Sequence, residues 1–338
     1  MSPNYIPKVS VIVPVYNTEL YVERAIISLM EQTLDDVQFI IIDDGSKDNS
    51  LNIIKQVITC YPARQGQVTL ISRENRGVAA TRAQGMELAT GDYVIHLDSD
   101  DWAEHNWLEA MYTKAIAENA DVVVCDYNEI FKNKTVVKDQ YVASTGLDCI
   151  TNLLNGDICN ANWNKLVKKE ILDINAINFS GDIKIGEDFL VVLALFIKVA
   201  NVAHVRSNLY NYNRTNENSL TISFDDKAMA DLLVIVTRMM NLLFVNNLIC
   251  NERIADAVAV FKLNVRNMYI LKSLGRPDLK KFALGLYSET DNLIENGLAA
   301  KPLRITYFFS KKGLSCLFPL VDGLIILNNI LWKLSLKG

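Results

Sequence analysis

The chain has 338 residues, half of them hydrophobic and 22% charged, which suffices for a large core and for more than one folding unit. Its net charge of −5 argues against general nucleic-acid binding, which requires a basic stripe, and we expect no nucleic-acid partner. The six cysteines and three histidines show no zinc-type spacing, which argues against a zinc hydrolase. The N-terminus lacks the basic-then-apolar layout of a signal peptide, so we expect a cytoplasmic protein.

The first half of the chain alternates short β-rich runs with helical patterns. Strands are predicted at 9–15, 39–42, 68–71, 93–97 and 121–125, and helices at 20–29, 50–60, 77–89 and 107–119. This alternation predicts an α/β fold with a mostly parallel, doubly wound sheet flanked by helices. Ligands of such sheets bind beyond the carboxyl ends of the strands, where this sequence has polar residues: Asn17, Asp43, Asp44, Asp98 and Asp100.

The second half is more irregular at first and then helical. A polar segment extends from about residue 130 to 146, helices are predicted at 163–172 and 189–199, and the chain is nearly all helix from residue 225. We therefore expect an α/β domain at 1–222 and a helical C-terminal region at 223–338. The apolar tail Leu314–Leu336 is flanked by lysines, so it is either a helix lying on a membrane surface or a helix packed on the core.

The segment Asp98-Ser99-Asp100-Asp101 follows an apolar strand directly. Three carboxylates this close repel one another and are costly to hold together without a cation. Oxygen ligands suit Mg²⁺ or Mn²⁺, which bind through one or two carboxylates together with substrate phosphates. The alternative is a solvated acidic loop in which Asp101 caps the next helix.

The sequence resembles glycosyltransferase family 2, whose members have the GT-A fold, across about the first 220 residues. Five segments in order carry the resemblance: Val9–Asn17, Ile42–Ser50, Asn75–Arg82, the DxD-like Asp98-Ser99-Asp100, and the late acidic pair in Gly186-Glu187-Asp188. A less closely matched segment is Tyr210–Arg214, and Trp163–Leu166 resembles a stretch of bacterial polysaccharide-building members.

The resemblance implies a role for each matching residue. Asp188 is the expected general base, Asp100 the direct metal ligand, and Asp98 a residue that approaches both ribose and metal. The remaining residues expected to bind the nucleotide sugar are Pro14, Tyr16, Asn17, Glu19, Asp43, Asp44, Arg76, Gly77, Arg82, Ser99 and Arg214. Trp163 and Glu187 are expected on the acceptor side, with core packing as the alternative for Trp163. For Arg82, a position on the helix surface is an equal alternative.

The resemblance also implies an activity: inverting transfer of a sugar from a nucleotide-diphospho-sugar, by family habit a UDP-sugar, to a hydroxyl of a saccharide acceptor. The implied cofactor is Mn²⁺ or Mg²⁺, and the implied pathway is synthesis of a bacterial surface polysaccharide such as capsule or O-antigen. If the acceptor is lipid-linked, the apolar tail fits a peripheral contact with the inner face of the cell membrane. The alternative is a non-catalytic module that binds nucleotide sugar or saccharide on the same fold.

Overall fold

The computed structural model describes residues 6–179, 183, 186–216, 225–323 and 325–326. The chain divides into two compact units, Met1–Asn246 and Asn247–Gly338. The boundary expected at 222/223 lies outside the described residues. The first long helix of the expected C-terminal region, Asp226–Val245, thus belongs to the first unit.

A single curled sheet forms the centre of the first unit. Its nine strands within the described residues are β1 (Val9–Val15), β2 (Val37–Asp43), β3 (Val68–Ser72), β4 (Tyr93–His96), β5 (Trp102–Ala103), β6 (Val122–Ile130), β7 (Thr135–Lys138), β8 (Lys165–Lys168) and β9 (Val202–Asn213). β1 and β2 are almost completely buried, because strands of a parallel sheet are covered by helices on both faces and favour continuous runs of Val and Ile.

The strand order is β3-β2-β1-β4-β8-β6-β9-β5, and β7 pairs with β6. The first four strands of this order are parallel, as the sequence predicts. β8 is antiparallel to both of its neighbours, β4 and β6, whereas β6 and β9 are parallel. The sheet is therefore mixed beyond β4, and its parallel half directs four loops to one edge.

Eight helices within the described residues accompany this sheet. They are α1 (Val22–Met30), α2 (Ser50–Cys60), α3 (Val78–Leu88), α4 (Trp107–Ala117), α5 (Gly146–Asn155), α6 (Lys169–Ile174), α7 (Glu187–Lys198) and α8 (Asp226–Val245). Their apolar faces enclose one core with the strands, in which Phe39, Trp107 and Tyr210 are among the largest buried side chains. The predicted bounds of α1 to α4 agree with these within about two residues.

Two predictions in this unit are wrong. Residues 163–172 do not form one helix, because Lys165–Lys168 are strand β8 and α6 begins only at Lys169. Asp101 does not cap the next helix, since α4 begins at Trp107 and strand β5 intervenes. The two short strands concerned, β5 and β8, pair with the distant strands β9 and β6, and this pairing outweighs local helical periodicity.

The second unit is helical in its described part, as predicted. It contains α9 (Glu252–Lys272), α10 (Pro277–Gly285), α11 (Asp291–Glu295) and α12 (Lys301–Lys311). The fully buried guanidinium of Arg266 organises these helices: it donates to the carbonyl oxygens of Ala283 and Leu284 and pairs with Asp291. Of the tail Leu314–Leu336, residues 324 and 327–336 lie outside the described residues.

Within the described residues, α8 is the one helix whose length and apolar composition would allow it to cross a membrane. Its side chains Met229, Ile235, Met239 and Leu243 are buried. Core helices of globular proteins have the same length and composition, so this property assigns no membrane span.

Candidate functional site

Four loops follow the parallel strands β1, β2, β3 and β4 at one edge of the sheet, at residues 16–21, 44–49, 73–77 and 97–101. This edge is the usual position of ligands in such sheets. Most of the residues predicted to bind the nucleotide sugar belong to these loops or to the strand ends beside them: Pro14, Tyr16, Asn17, Glu19, Asp43, Asp44, Arg76, Gly77, Asp98, Ser99 and Asp100.

The first two loops are joined by hydrogen bonds in which Asn17 and Glu19 use both backbone and side chain. The side-chain oxygen of Asn17 accepts from the amide of Lys47 at 2.8 Å, and that of Glu19 accepts from the amide of Asn49 at 2.8 Å. In return, the Glu19 amide donates to Asp48 at 2.9 Å. Asn17 has a φ of 51°, in the left-handed region that Asn tolerates better than most residues. These two residues therefore fix the shape of the loop, whatever else they contact.

Asp43 and Asp44 are both buried and both accept hydrogen bonds from neighbouring loops. Asp43 accepts from the Ser46 amide at 3.2 Å and from the Ser72 hydroxyl at 2.8 Å. Asp44 accepts from the Gly77 amide at 2.7 Å and pairs with Arg73 at 3.0 Å, so it holds the loop after β3 in place. The structure thus gives Asp44 a role in loop construction that sequence reasoning did not identify.

Gly45 is required where these two loops meet. Its φ is 76°, and a Cβ there would lie 2.9 Å from the backbone nitrogen of Asn75. A larger residue would therefore separate the loops that follow β2 and β3.

The predicted site residues differ in exposure along this edge. Pro14 is buried within β1, and Ser99 is buried with its hydroxyl accepting from Thr18 at 3.1 Å. Tyr16 and Arg76 are exposed, so their side chains are accessible to a ligand at this edge of the sheet. Gly77, with a φ of 87°, precedes the first residue of α3.

The acidic loop 98–101 is held by the last residues of β9 and by Asn216 just beyond. The Tyr210 hydroxyl donates to Asp101 at 2.7 Å and accepts from the Asp98 amide at 3.1 Å. The Asn213 amide also donates to Asp101, at 2.7 Å, and the Asn216 side chain donates to Asp100 at 2.8 Å. Asp101 is completely buried and therefore serves this scaffold, while Asp98 and Asp100 remain partly accessible.

Asp98 and Asp100 fit the oxygen-ligand chemistry of Mg²⁺ or Mn²⁺. Burial and the nearby Asp98 charge raise the pKa of Asp100, a cost that a cation beside the pair would offset. The described residues donate to only one oxygen of each carboxylate: Asp98 Oδ1 and Asp100 Oδ2. No group of three or more His, Cys, Asp or Glu side chains suited to a metal occurs in the described residues. Two carboxylates nevertheless suffice where substrate phosphates complete the coordination.

Arg82 connects the acidic loop to the acidic pair at the start of α7. Its Nη2 lies 2.8 Å from Asp98 Oδ1, and its Nη1 lies 2.7 Å from Asp188 Oδ1 and 3.5 Å from Glu187 Oε1. The side chain is buried, so the helix-surface alternative for Arg82 is wrong. Burial disfavours the charged guanidinium, but the three carboxylates outweigh it and raise the pKa of Arg82.

Glu187 and Asp188 form the first turn of α7, where the positive end of the helix dipole favours carboxylates. Burial raises the pKa of both groups, and the neighbouring Asp188 charge adds to this effect in raising the pKa of Glu187 to about 7. Gly186, with a φ of 90°, allows the turn before them, and a Cβ there would lie 2.2 Å from Cδ1 of Ile235.

Trp163 and Arg214 differ in exposure, Trp163 being buried and Arg214 exposed. The Trp163 ring is buried and stacks on Tyr210 at 4.3 Å, with Tyr127 against its edge at 4.7 Å. This packing favours the core alternative for Trp163. Arg214 is exposed just after β9, where its guanidinium contacts the hydroxyl of Tyr212 at 3.0 Å.

Sequence reasoning missed two groups of residues that hold the acidic side chains. The first comprises Asn213 and Asn216, which donate to Asp101 and Asp100. The run of polar residues after Tyr210 was the sequence signal that could have identified them. The second is Asn162, whose amide donates to Asp188 Oδ1 at 2.7 Å. It precedes Trp163 immediately, so the motif containing that tryptophan was the place to find it.

Curated relatives of similar sequence are glycosyltransferases by name. The chain is 32% identical over 213 residues to the putative glycosyltransferase EpsH of Bacillus subtilis, covering 61% of this chain and 60% of the relative. It is 31% identical over 240 residues to the cholesterol galactosyltransferase of Borreliella burgdorferi, covering 67% of this chain and 65% of the relative. Less than two thirds of either relative is thus matched.

Solved structures show the same fold at low sequence identity. S. aureus TarS residues 1–349 in complex with UDP superimposes with a TM-score of 0.65 at 17% identity, covering 95% of this chain and 92% of that one. The mannosyltransferase PcManGT from Pyrobaculum calidifontis, in complex with GDP-Man and Mn²⁺, gives 0.52 at 15% identity, with 95% and 87% covered. The GT-A fold expected from the sequence is confirmed.

The family model described as glycosyl transferase family 2 matches residues 10–181, slightly more than half of the chain. That range includes β1 from its second residue, β2 to β4, and the four loops of the candidate site. On this match and on the fold, the chain belongs to glycosyl transferase family 2.

Proposed function

We propose that this protein transfers a sugar from a nucleoside diphosphate sugar to a hydroxyl group of a saccharide acceptor, with inversion at the anomeric carbon. The observation that carries the proposal is the position of Arg82, which bonds to Asp98 on one side and to Asp188 on the other. A donor-side acidic loop and an acceptor-side carboxylate are thereby held by one buried cation. Family membership and the GT-A fold support the same activity.

In this reaction Asp188 is the general base. Its Oδ1 is engaged by Arg82 and Asn162, whereas the described residues provide no hydrogen-bond donor to Oδ2. Oδ2 takes the proton from the acceptor hydroxyl, whose oxygen attacks the anomeric carbon. The bond from that carbon to the diphosphate oxygen breaks, and the nucleoside diphosphate leaves with the electron pair.

Asp98 and Asp100 would hold the divalent cation, which supplies charge neutralisation at the departing diphosphate. Arg82 balances the charge of Asp98 and opposes the rise that burial causes in the pKa of Asp188, because a neighbouring cation favours the ionised carboxylate. Tyr210 and Asn213 keep the backbone of the acidic loop fixed.

The first test is thermal unfolding with a panel of nucleoside diphosphates, each with Mn²⁺ and without it. A ligand that binds only the folded state stabilises it by about 2.7 kcal/mol at a hundredfold excess over its dissociation constant. We expect one nucleotide to raise the melting temperature in a metal-dependent manner, and Asp100→Ala to abolish this effect.

Asp188→Asn provides the matched variant for the chemistry. It should retain the metal-dependent stabilisation by nucleotide, because Asp188 does not belong to the donor-side loop, and it should lose sugar transfer by about a hundredfold or more. A chain that binds nucleotide but transfers no sugar to water or saccharide would favour the alternative function, a non-catalytic nucleotide-sugar binding module.

We further propose a UDP-sugar donor and a role in assembling a bacterial surface polysaccharide such as capsule or O-antigen. TarS is similar in fold, and its solved structures include complexes with UDP and with UDP-GlcNAc. The nucleotide panel tests the first part, since stabilisation by GDP or CDP instead of UDP would contradict it.

We also propose that the C-terminal tail contacts the inner face of the cell membrane and brings the enzyme to a lipid-linked acceptor. Leu314, Leu317 and Leu320 are exposed, and Lys311 and Lys312 precede them. Apolar side chains beside lysines suit a surface of anionic lipid. Sedimentation with phosphatidylglycerol vesicles should decrease when the chain ends before Leu314, and unchanged sedimentation would contradict the proposal.

A further inference from the structure

Asn162 is a buried residue in the segment between α5 and β8, far in sequence from α7. Its side-chain Nδ2 donates to Asp188 Oδ1 at 2.7 Å. The same oxygen accepts from Arg82 Nη1 at 2.7 Å. Two donors from two different elements thus converge on one carboxylate oxygen and leave the other without a donor from the described residues.

The segment that carries Asn162 is fixed by a buried lysine. The Nζ of Lys165 donates to the carbonyl oxygens of Cys159 and Ala161 and to the side-chain oxygen of Asn164, each at 2.7 Å. The Lys165 backbone amide also donates to the carbonyl oxygen of Asn162 at 3.1 Å. Asn162 therefore lies in a turn whose two ends are bound to one side chain.

The lysine is held in this place against its preference for water. Burial lowers the pKa of Lys165 to about 8, and its three hydrogen-bond acceptors are neutral oxygens. Burying a charge with only neutral partners costs stability. This unfavourable burial occurs in the turn from which the Asn162 amide donates to Asp188.

We propose that Asn162 is a positioning residue for Asp188. Together with Arg82 it fixes the carboxylate so that Oδ2 faces the acceptor hydroxyl and Oδ1 stays engaged. Lys165 acts through the turn, by keeping the Asn162 amide in place. This inference rests on the proposed function, in which Asp188 is the general base.

Four charged groups surround Asp188 and, together with the Asn162 hydrogen bond, determine its proton affinity. They are Arg82 on α3, Asp98 after β4, Glu187 on the same helix and Lys165 on β8. Burial raises the pKa of Asp188 and Asp98 adds to this, whereas Arg82, Asn162 and Lys165 oppose it. Removing the Asn162 amide therefore raises this pKa further, and a higher pH is needed to ionise the base.

The test compares Asn162→Ala with Asn164→Ala as a matched control. Asn164 is buried in the same turn, but its amide donates to the Cys125 carbonyl at 3.1 Å and not to Asp188. For Asn162→Ala we expect kcat to fall roughly 10- to 100-fold with the KM for the donor changed less than about threefold, since only the base is displaced. The acidic limb of the kcat–pH profile should move to higher pH.

The control and a conservative variant separate positioning from general loss of packing. Asn164→Ala removes one of the three acceptors of Lys165 but leaves the two carbonyl acceptors of the turn, so it should reduce thermal stability and move the acidic limb much less than Asn162→Ala does. Asn162→Gln, which keeps an amide donor, should recover part of kcat. If Asn162→Ala does not fold, Asn162→Ser gives the same comparison with a shorter side chain. An unchanged acidic limb in the Asn162 variants, or an equal shift in Asn164→Ala, would overturn the inference.

A second measurement does not depend on turnover. Carbon-13 NMR of labelled aspartate, with the Asp188 signal assigned by Asp188→Asn, reports its titration in the wild type and in both alanine variants. A rise in the pKa of Asp188 that occurs in Asn162→Ala and not in Asn164→Ala supports the inference. It does so even if no sugar transfer is found, in which case the proposed function alone fails. Transfer by the wild type with an unmoved Asp188 titration would refute the positioning role alone.

Discussion

The guanidinium of Arg82 shows how one residue determines the electrostatics of the site. It contacts Asp98 and the adjacent pair Glu187 and Asp188, three carboxylates from two distant parts of the chain. Its planar fork of donors can serve two directions at once, which the ammonium group of a lysine cannot do with the same geometry. The charges of the acidic loop and of the acidic pair are therefore balanced by the same guanidinium.

Glu187 gives the first prediction at this scale, concerning stability and pH. Its pKa is raised to about 7 by burial and by Asp188, so the folded state holds a proton that the unfolded state releases at lower pH. Wild-type stability should therefore fall as the pH rises from the ordinary glutamate pKa to about 7. Glu187→Gln has no ionisable group at this position and does not lose stability in this way. The difference in unfolding free energy between this variant and the wild type should therefore change in favour of the variant by about 2–3 kcal/mol across that pH window.

Urea unfolding at about pH 5 and about pH 8 measures this difference for the two proteins. The comparison uses metal-free buffer, so that cation binding nearby does not contribute. A difference that stays constant between the two pH values, or that shrinks as the pH rises, would contradict the raised pKa of Glu187.

At the scale of elements, β9 is the strand that completes the acidic loop. It pairs with β6 and β5, and its last residues reach back to Asp98 and Asp101. The stacked rings of Tyr210 and Trp163 fix the strand against the core. The acidic loop after β4 therefore depends on a strand more than a hundred residues later in the chain.

Removal of one hydroxyl from β9 tests this dependence. Tyr210→Phe leaves the buried Asp101 and the Asp98 amide without a shared partner, which should cost about 1–3 kcal/mol of unfolding free energy. It should also weaken metal-dependent stabilisation by nucleotide. Tyr212→Phe is the matched control on the same strand, because its hydroxyl contacts the exposed Arg214. Equal losses in the two variants would contradict a specific role for Tyr210.

The elements divide clearly into those that the sequence could predict and those that it could not. β1 and β2 are continuous apolar runs followed by polar loops, and α2 and α4 show clear helical periodicity, so local pattern sufficed. β8 and β9 were missed because their stability comes from pairing with distant strands. Lys165 in β8 is polar and buried, and no local signal indicates the carbonyl oxygens that it meets.

The same limit applies to the candidate site. Asp98, Asp100 and Asp188 were identifiable because acidic residues in family-like motifs are visible in the sequence. Asn162, which donates to Asp188, and Tyr210, which contacts the Asp98 amide and donates to Asp101, are ordinary residue types. Their importance appears only when the fold brings them to these acidic residues. Sequence reasoning therefore finds reactive groups more readily than the groups that orient them.

At the scale of the whole molecule, Asp322 ties the beginning of the C-terminal tail to the second unit. It pairs with the buried ammonium of Lys280 and accepts from the Gly275 amide at 3.0 Å. Asp322→Leu should lower the unfolding free energy of this unit by about 3–5 kcal/mol, because it leaves a buried charge without its partner. The double variant Lys280→Met/Asp322→Leu removes both charges and should recover most of that loss in chemical unfolding. A double variant no more stable than the single one would contradict the pairing.

The division of the chain into two units leads to a prediction about binding. Every residue assigned to the donor, the metal or the acceptor lies within Met1–Asn246, and the second unit begins at Asn247. A protease recognition sequence inserted after Asn247 allows the intact protein to be cleaved between the units after folding. The metal-dependent dissociation constant for the nucleotide should change less than about threefold on cleavage, a free-energy difference below about 0.7 kcal/mol. The uncleaved insertion protein is the control, and a loss of nucleotide binding that appears only after cleavage would mean that residues beyond 246 complete the donor site.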